Sequence, residues 1–410
     1  MRRSLSVCAI AALGLLGGAS LALAEEKPIV IGADSPIQVQ VGRDTVDTLQ
    51  MAIDEINAKG GVLGRKLTLA VADETLDPQQ GVAAIKKLTG EEHVDVLIGG
   101  YSSGVTLAEE PHIADAKTIY LGVGSASPTI TDFVGKNYKR FKYIFRVSPP
   151  NSTHQGELIE DFVIGKLKGE FGYNTIAIVG ENAVWVQGLV PVLKAGVEKA
   201  GVKVPMVELF DPDMSDFSPL LSKVKDTGAQ YLLILVSHAN SDVLVKQWYD
   251  AKFPIPMGGI DVKGQDPDFF ERIGGKAIGE VVTNGIIPAP ITPKTMPFWN
   301  AFTERYHRSP VYTAPGAYDA LQVYVQAVER AKSTDPEKVI PELEKTNYVG
   351  TQGTYVFDKH HDIESGPGKI NTLFVQWQEG GKRVVVWPKD VANGKMILPP
   401  WISQRAEVIK

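Results

Sequence analysis

Two hydrophobic periods take turns along this chain. Short apolar runs of strand length give way to stretches whose apolar residues recur every three or four positions. PIVIGA, over 28–33, reads as a buried strand. Val46, Leu49, Ile53 and Ile56 then share one face of a helix expected over 45–58, which Gly60 and Gly61 stop. A strand follows over 66–73. Asp77-Pro78 opens the next helix, with Val82, Ile85 and Leu88 on one side. VDVLIGG is a strand, 107–116 a helix and TIYLGV another strand.

From 174 the same order begins again. NTIAIVG is a strand, ENAVWVQG a loop and 189–200 a helix; a strand over 203–210 and a helix over 217–225 come next. QYLLILV is a fully apolar strand, SHANSD a helix-start loop and 243–251 a helix, before PIPMGGID. VDVLIGG-YSSG thus has a counterpart in YLLILV-SHANSD, and IYLGVGSAS has one in IPMGGID. Strand–helix alternation with short, Gly-marked links predicts parallel sheets with helices on both faces. The fold class is therefore α/β, with two similar doubly wound lobes whose equivalent loops could face one another. After Asn284 the texture changes to the Pro-rich IIPAPITPKTMP, then to helices expected over 298–306, 314–331 and 337–345, and then to the β-like TYVFD, NTLFVQW and RVVVWP.

Composition narrows the class. A length of 410 residues suits two domains, and 44% hydrophobic with 22% charged residues is a soluble globular balance. A formal charge of −6, with no basic cluster interleaved with aromatics, argues against nucleic acid as a partner. Arg2 and Arg3, the apolar stretch from Val7 to Leu23 and the Ala22-Leu23-Ala24 site form a secretory signal over 1–24, cleaved after Ala24. Cys8, the single cysteine, falls inside it, so the mature chain holds no disulfide and no thiolate metal site. No later stretch is long and apolar enough to span a bilayer.

The chemistry gathers at Val94–Thr106. A strand ends in two glycines, serines follow and a helix opens at about Val105, which is a ready anion site. Ser102 and Ser103 offer hydroxyls to a carboxylate. IYLGVGSASP, over 119–128, repeats the arrangement one unit later. Tyr101, Trp185 and Tyr318 stand near strand ends or helix starts, where aromatics supply apolar ligand surface. Asp261 ends a strand and could meet a ligand cation from the second lobe. Gly100-Tyr101-Ser102-Ser103-Gly104 also fits a G-x-S-x-G nucleophile elbow, which makes Ser102 a formal nucleophile with Asp358 and His360 or His361 downstream. Too few strands precede the loop for the usual hydrolase sheet, and DKHHDIESGPG reads as an exposed turn. Gly122-Val123-Gly124 lacks the third glycine of a dinucleotide loop, and no histidine pair has metal-ligand spacing, so neither cofactor nor metal is expected.

Taken together, the chain resembles the periplasmic solute-binding proteins of the leucine/isoleucine/valine type, which serve ABC importers. AIDEINAKGGVLGRKL, DETLDPQQGVAAIKKL, LIGGYSSGVT, IAIVGENAVWVQG, AYDAL and GTYVFD carry the resemblance. It implies a periplasmic monomer with a membrane permease as partner. It also implies two lobes joined by three crossings, 25–146 with 285–350 and 147–284 with 351–410, that close on a small carboxylate ligand. A branched-chain or other apolar amino acid is the first choice, and an aromatic or other non-amino carboxylic acid the alternative. By the same resemblance, Ser103 binds the ligand carboxylate, Gly124 offers backbone groups, Trp185 lies against the ligand and Tyr318 lines the cleft. The pattern departs at three places. Ala126 stands where the family has a hydroxyl, with Ser125 or Ser127 beside it to substitute. Ser237, followed by His238, replaces a tyrosine. The acid for the ligand ammonium aligns with Ile260 or, shifted by one, with Asp261.

Overall fold

The computed structural model describes residues 27–402. The expected signal over 1–24, with Cys8, lies outside the described residues. Five strands, β1 (Ile29–Asp34), β2 (Leu67–Ala72), β3 (Val96–Gly99), β4 (Ile119–Gly122) and β5 (Ile144–Arg146), form a parallel sheet in the order β2-β1-β3-β4-β5. A second sheet contains β6 (Thr175–Glu181), β7 (Lys203–Phe210), β8 (Tyr231–Val236), β9 (Met257–Asp261) and β10 (Val281–Asn284). β11 (Tyr348–Val349) and β12 (Thr354–Tyr355) pair as a small hairpin, while β13 (Leu373–Gln378) and β14 (Lys382–Trp387) add antiparallel to the second sheet. Its order is β14-β13-β10-β9-β8-β6-β7. The run β7-β6-β8-β9-β10 repeats the order of the first sheet, so the repetition read from the hydrophobic pattern is real.

Residue alternation divides each strand between two cores. Val96 and Ile98 face the helices Gln40–Ala58 and Thr313–Ala331, whereas Leu97 faces Ile85, Leu88 and Ile113 on the other side. Ile176 and Ile178 pack with Ile159, Leu189 and Leu193, and Ala177 and Val179 with Phe217 and Trp248. In both sheets the chain reverses its direction of travel beside the first strand, β1 or β6. Loops at the carboxyl ends of strands near such a switch point are where open α/β sheets hold ligands.

Several expectations need correction. The helix expected from 45 starts at Gln40, and the one expected from 107 starts at Ser103. ENAVWVQG is not a loop throughout: the helix Val184–Lys199 includes Trp185 in its first turn and carries Pro191 inside it. The helix Ser152–Phe162, continued by a wider turn over Val163–Lys168, was not anticipated. Its Asn151 caps the N-terminus by accepting the His154 N–H at 3.0 Å. Finally, the segment assigned to the second lobe from 351 packs on the first. Tyr355, Phe357, Ile363 and Ile370 join the core of the first sheet, and His361 stacks on Phe145 with ring centroids 3.9 Å apart. The run DKHHDIESGPG is therefore not an exposed turn, since His361 and Asp362 are buried. The chain crosses back only after Ile370, entering β13 at Leu373.

Candidate functional site

The first wall is built at the ends of β3 and β4. After Gly99, Gly100 takes a left-handed φ of 76°, and a side chain there would run into the Tyr120 hydroxyl. The turn delivers Tyr101, then Ser102 in an extended conformation, then Ser103 as the first residue of its helix. First-turn N–H groups of a helix have no partner within it and carry partial positive charge. The loop after β4 presses against this turn: a Cβ on Gly124 would overlap Gly100 O and crowd Tyr101 Cα, so only glycine allows the approach. Ser103 Oγ ties the two loops together by accepting the N–H groups of Ala126 at 3.2 Å and Ser127 at 3.1 Å. Its own O–H remains to donate.

A buried arginine holds the second loop from behind. The Arg146 guanidinium donates to the carbonyls of Ser125 and Ser127 and pairs through Nε with Asp362 Oδ1 at 3.0 Å. Asp362 also accepts from Thr131 Oγ1 at 2.6 Å and Asn151 Nδ2 at 2.9 Å. Beneath the first loop lie three buried carboxyls, Asp34, Glu74 and Glu109, with one oxygen from each within 4.8 Å of the others. Burial, and after it the neighbouring Asp34, hold the Glu74 carboxyl well above the ordinary range. Burial likewise raises Asp34 to about 7, and Asp34 shares a hydrogen bond with Glu109, which needs a proton on one of them.

The second wall is organised by Glu181 at the end of β6. Its Oε2 accepts the N–H groups of Ser237 at 3.0 Å, His238 at 2.8 Å and Ala239 at 2.9 Å. Its Oε1 accepts Trp185 Nε1 at 3.1 Å and meets His238 Nδ1 at 2.7 Å. Burial pushes this carboxyl up, but His238 and the N–H groups together outweigh it and leave the pKa below its ordinary value. One carboxylate thus fixes both the indole of Trp185 and the loop after β8.

The walls touch. Tyr101 Oη lies 2.9 Å from Ser237 O and 2.8 Å from Ser237 Oγ, a direct bridge between lobes. Tyr312 donates its hydroxyl to Gly124 O at 3.0 Å and its N–H to Gln265 Oε1 at 3.3 Å. Behind the bridge is a cavity of about 760 Å³, its open mouth included. Of the residues singled out in the sequence, Tyr101, Ser103, Gly124, Ala126, Trp185 and Ser237 line it. The crossings supply its back: Ser148–Pro150, Thr283–Gly285 and Ile370–Thr372.

The other expected residues lie elsewhere. Ser102 stands at the N-cap position without a side-chain cap bond and does not line the cavity. Ser125 is buried against Thr106, with hydroxyls 2.6 Å apart. Asp261 points away from the cavity into a buried group, accepting Ser241 Oγ at 2.7 Å and Gly264 N at 3.0 Å, and Ile260 takes the cavity side of β9. Tyr318 donates to Glu55 at 2.7 Å and packs on Phe298. Tyr312, six residues earlier, is the aromatic that reaches the cavity. Sequence reading also missed Gln155 and Ile159, which sit on the unanticipated helix, and Val262 and Gln265 beyond β9. No Ser102 triad forms. Both ring nitrogens of His361 are engaged, with Ile144 O at 3.1 Å and Glu344 Oε1 at 3.0 Å, and His360 lies against Gly135.

Comparison with known proteins places this geometry. The Leucine-, isoleucine-, valine-, threonine-, and alanine-binding protein of Pseudomonas aeruginosa is 26% identical over 385 residues, covering 92% of this chain and 96% of its own. The Leu/Ile/Val-binding protein homolog 2 of Brucella abortus is 25% identical, covering 93% and 97%. Among solved structures, the leucine binding protein LivK of Thermotoga maritima superposes with a TM-score of 0.75 at 22% identity, covering 88% of this chain and 100% of that one. LivJ of Streptococcus pneumoniae in complex with isoleucine gives 0.73 at 19% identity, covering 87% and 99%. These superpositions show the type I periplasmic binding fold. The family model described as periplasmic binding protein matches residues 30–382, and the chain belongs to that family.

Proposed function

We propose that this chain is the solute-binding component of an ABC importer, not an enzyme, and that it closes two lobes on a small carboxylate for delivery to a membrane permease. One observation carries the reading. The cavity lies between the lobes, is backed by three crossings, and presents the Ser103 hydroxyl at a helix start beside the Gly124–Ala126 loop. A carboxylate seated there meets a hydroxyl donor, helix-start N–H groups and a guanidinium one layer behind. Tyr101, Trp185, Tyr312 and Ser237 close over its apolar remainder. The names of the relatives place leucine, isoleucine and valine first among ligands to test. Export through the leader ending at Ala24, a periplasmic site of action and a monomeric state complete the reading; no helix among the described residues is long and apolar enough to cross a membrane.

The test is a thermal-shift screen of the mature protein, refolded to strip ligand, against amino acids and aliphatic and aromatic acids. A ligand that binds only the folded state raises the melting temperature by mass action. At least one carboxylate is expected to do so, with the shift lost in Ser103→Ala. Turnover of an ester that disappears in Ser102→Ala would reject the reading.

A further inference from the structure

We infer that the cavity selects a carboxylate whose remaining part carries no charge, and so discriminates against zwitterionic amino acids; this rests on the carboxylate reading above. The residues lining the cavity include no Asp, Glu, Lys, Arg or His among the described residues. Its polar groups away from Ser103 are neutral carboxamides and hydroxyls, such as Gln155, Gln265, Asn284 and Thr283. Ile159, Trp185, Ile260 and Val262 make the facing wall apolar.

The carboxylates that adjoin the lining, Asp261 next to Ile260 and Glu181 against Trp185 and Ser237, are committed elsewhere. Asp261 is fully buried on the opposite side of β9 from Ile260, held by Ser241 and Gly264. Strand alternation makes the exclusion structural: a one-residue shift along β9 turns a side chain to the other face. Glu181 is fully buried and spends both oxygens on Ser237, His238, Ala239 and Trp185. The remaining ionic groups sit across the bridge. Arg43, Asp242, Asp266 and Arg272 line a separate recess that shares only Tyr101, Ser237 and Val262 with the cavity. There Arg272 binds Asp242 at 2.8 Å and Asp266 at 3.1 Å. An ammonium in the cavity would lose water without gaining a counter-charge, a penalty that neutral carboxamides and hydroxyls offset only in part. The faces of Trp185, Tyr101 and Tyr312 can attract a cation, but that attraction is weaker than the cost of stripping an ammonium of its water.

Matched ligand pairs that differ only in the ammonium test this. Titration calorimetry with refolded protein would compare L-leucine with 4-methylpentanoate, and L-phenylalanine with 3-phenylpropanoate. At least one plain acid is expected to bind tenfold or more tightly than its amino acid. Ile260→Glu is expected to shift that ratio toward the amino acid, a change that mere loss of packing does not produce. If the amino acid of each pair binds more tightly, the inference fails while the carboxylate reading stands. If the amides 4-methylpentanamide and 3-phenylpropanamide bind and none of the four carboxylates does, the carboxylate reading itself fails, and the inference with it.

Discussion

Removing one oxygen at Tyr101 isolates the contribution of closure to binding. Tyr101 belongs to the first lobe and Ser237 to the second, and the phenol meets both Ser237 O and Ser237 Oγ within 2.9 Å. Tyr101→Phe keeps the ring, which packs in the buried cluster with Ala126 and Trp185, and deletes only these bonds. A neutral hydrogen bond contributes about 0.5–1.5 kcal/mol net, so the two together contribute roughly 1–3 kcal/mol. That converts to an affinity about 5- to 150-fold weaker. Because the bridge exists only when the lobes meet, the loss belongs to the ligand-bound state and falls mainly on dissociation. The assay pairs calorimetric Kd and stopped-flow dissociation with the melting temperature of the ligand-free protein. Ser237→Ala, which removes the Oγ contact alone, completes a double-mutant cycle expected to show coupling of about 0.5–1 kcal/mol. An unchanged Kd, or a Kd change matched by an equal destabilisation of the ligand-free protein, would refute the reasoning.

Three further outcomes follow from buried charge. Arg146→Met leaves Asp362 buried without its cation and two carbonyls without a donor, so chemical denaturation should show a loss of about 3–5 kcal/mol, partly restored by adding Asp362→Asn. Glu181→Gln puts an NH₂ where an acceptor is needed for the 237–239 loop or for Trp185; a loss of about 2–3 kcal/mol and weaker ligand binding are expected by denaturation and calorimetry. Burial raises the Asp34 carboxyl from 3.8 to about 7, although its hydrogen bond with Glu109 opposes the rise. The folded state therefore holds this proton more tightly than the unfolded chain. Its contribution is full below the unfolded pKa of 3.8 and is lost as pH rises through about 7. The fall in melting temperature between pH 5 and pH 8 should shrink in Asp34→Asn, and an identical fall in both proteins counts against the raised carboxyl.

The hydrophobic period was a good guide to the sheets because it records burial, which is what the sheets are made of. Lys203–Phe210 was read to the residue, and the strand over 230–236 to within one residue. Helix starts were read late where no side-chain cap marks them. Gln40 and Ser103 begin helices with no side-chain cap bond, so no sequence signal announces them. The helix Ser152–Phe162 went unread although Asn151 caps it, because its first apolar core residue, Ile159, comes two turns in. With that helix went Gln155 and Ile159, and with the late start at Ser103 went the recognition that this serine is a helix residue rather than a loop residue.

The site was legible where backbone makes it and opaque where side-chain direction does. Gly100, Gly124 and Ser103 are fixed by turn conformation and close approach, which composition reveals directly. Whether Ile260 or Asp261 faces the ligand depends on a register that shifts by one residue, and sequence alone left both open. The structure resolves it through partners rather than position. Asp261 is held by a hydroxyl, a backbone N–H and the carboxyl of Glu280 on the far side of the sheet. Turning it into the cavity would strip Ser241 and Gly264 of their acceptor and bury Ile260 in that polar pocket. The same logic decides between Tyr312 and Tyr318. Tyr318 lies six residues beyond Tyr312, its hydroxyl is taken by Glu55 and its ring by Phe298, so Tyr312, just before the helix, is the one that lines the cavity. Which side chains face the cavity is therefore set by what holds their neighbours on the far side of the strand and helix.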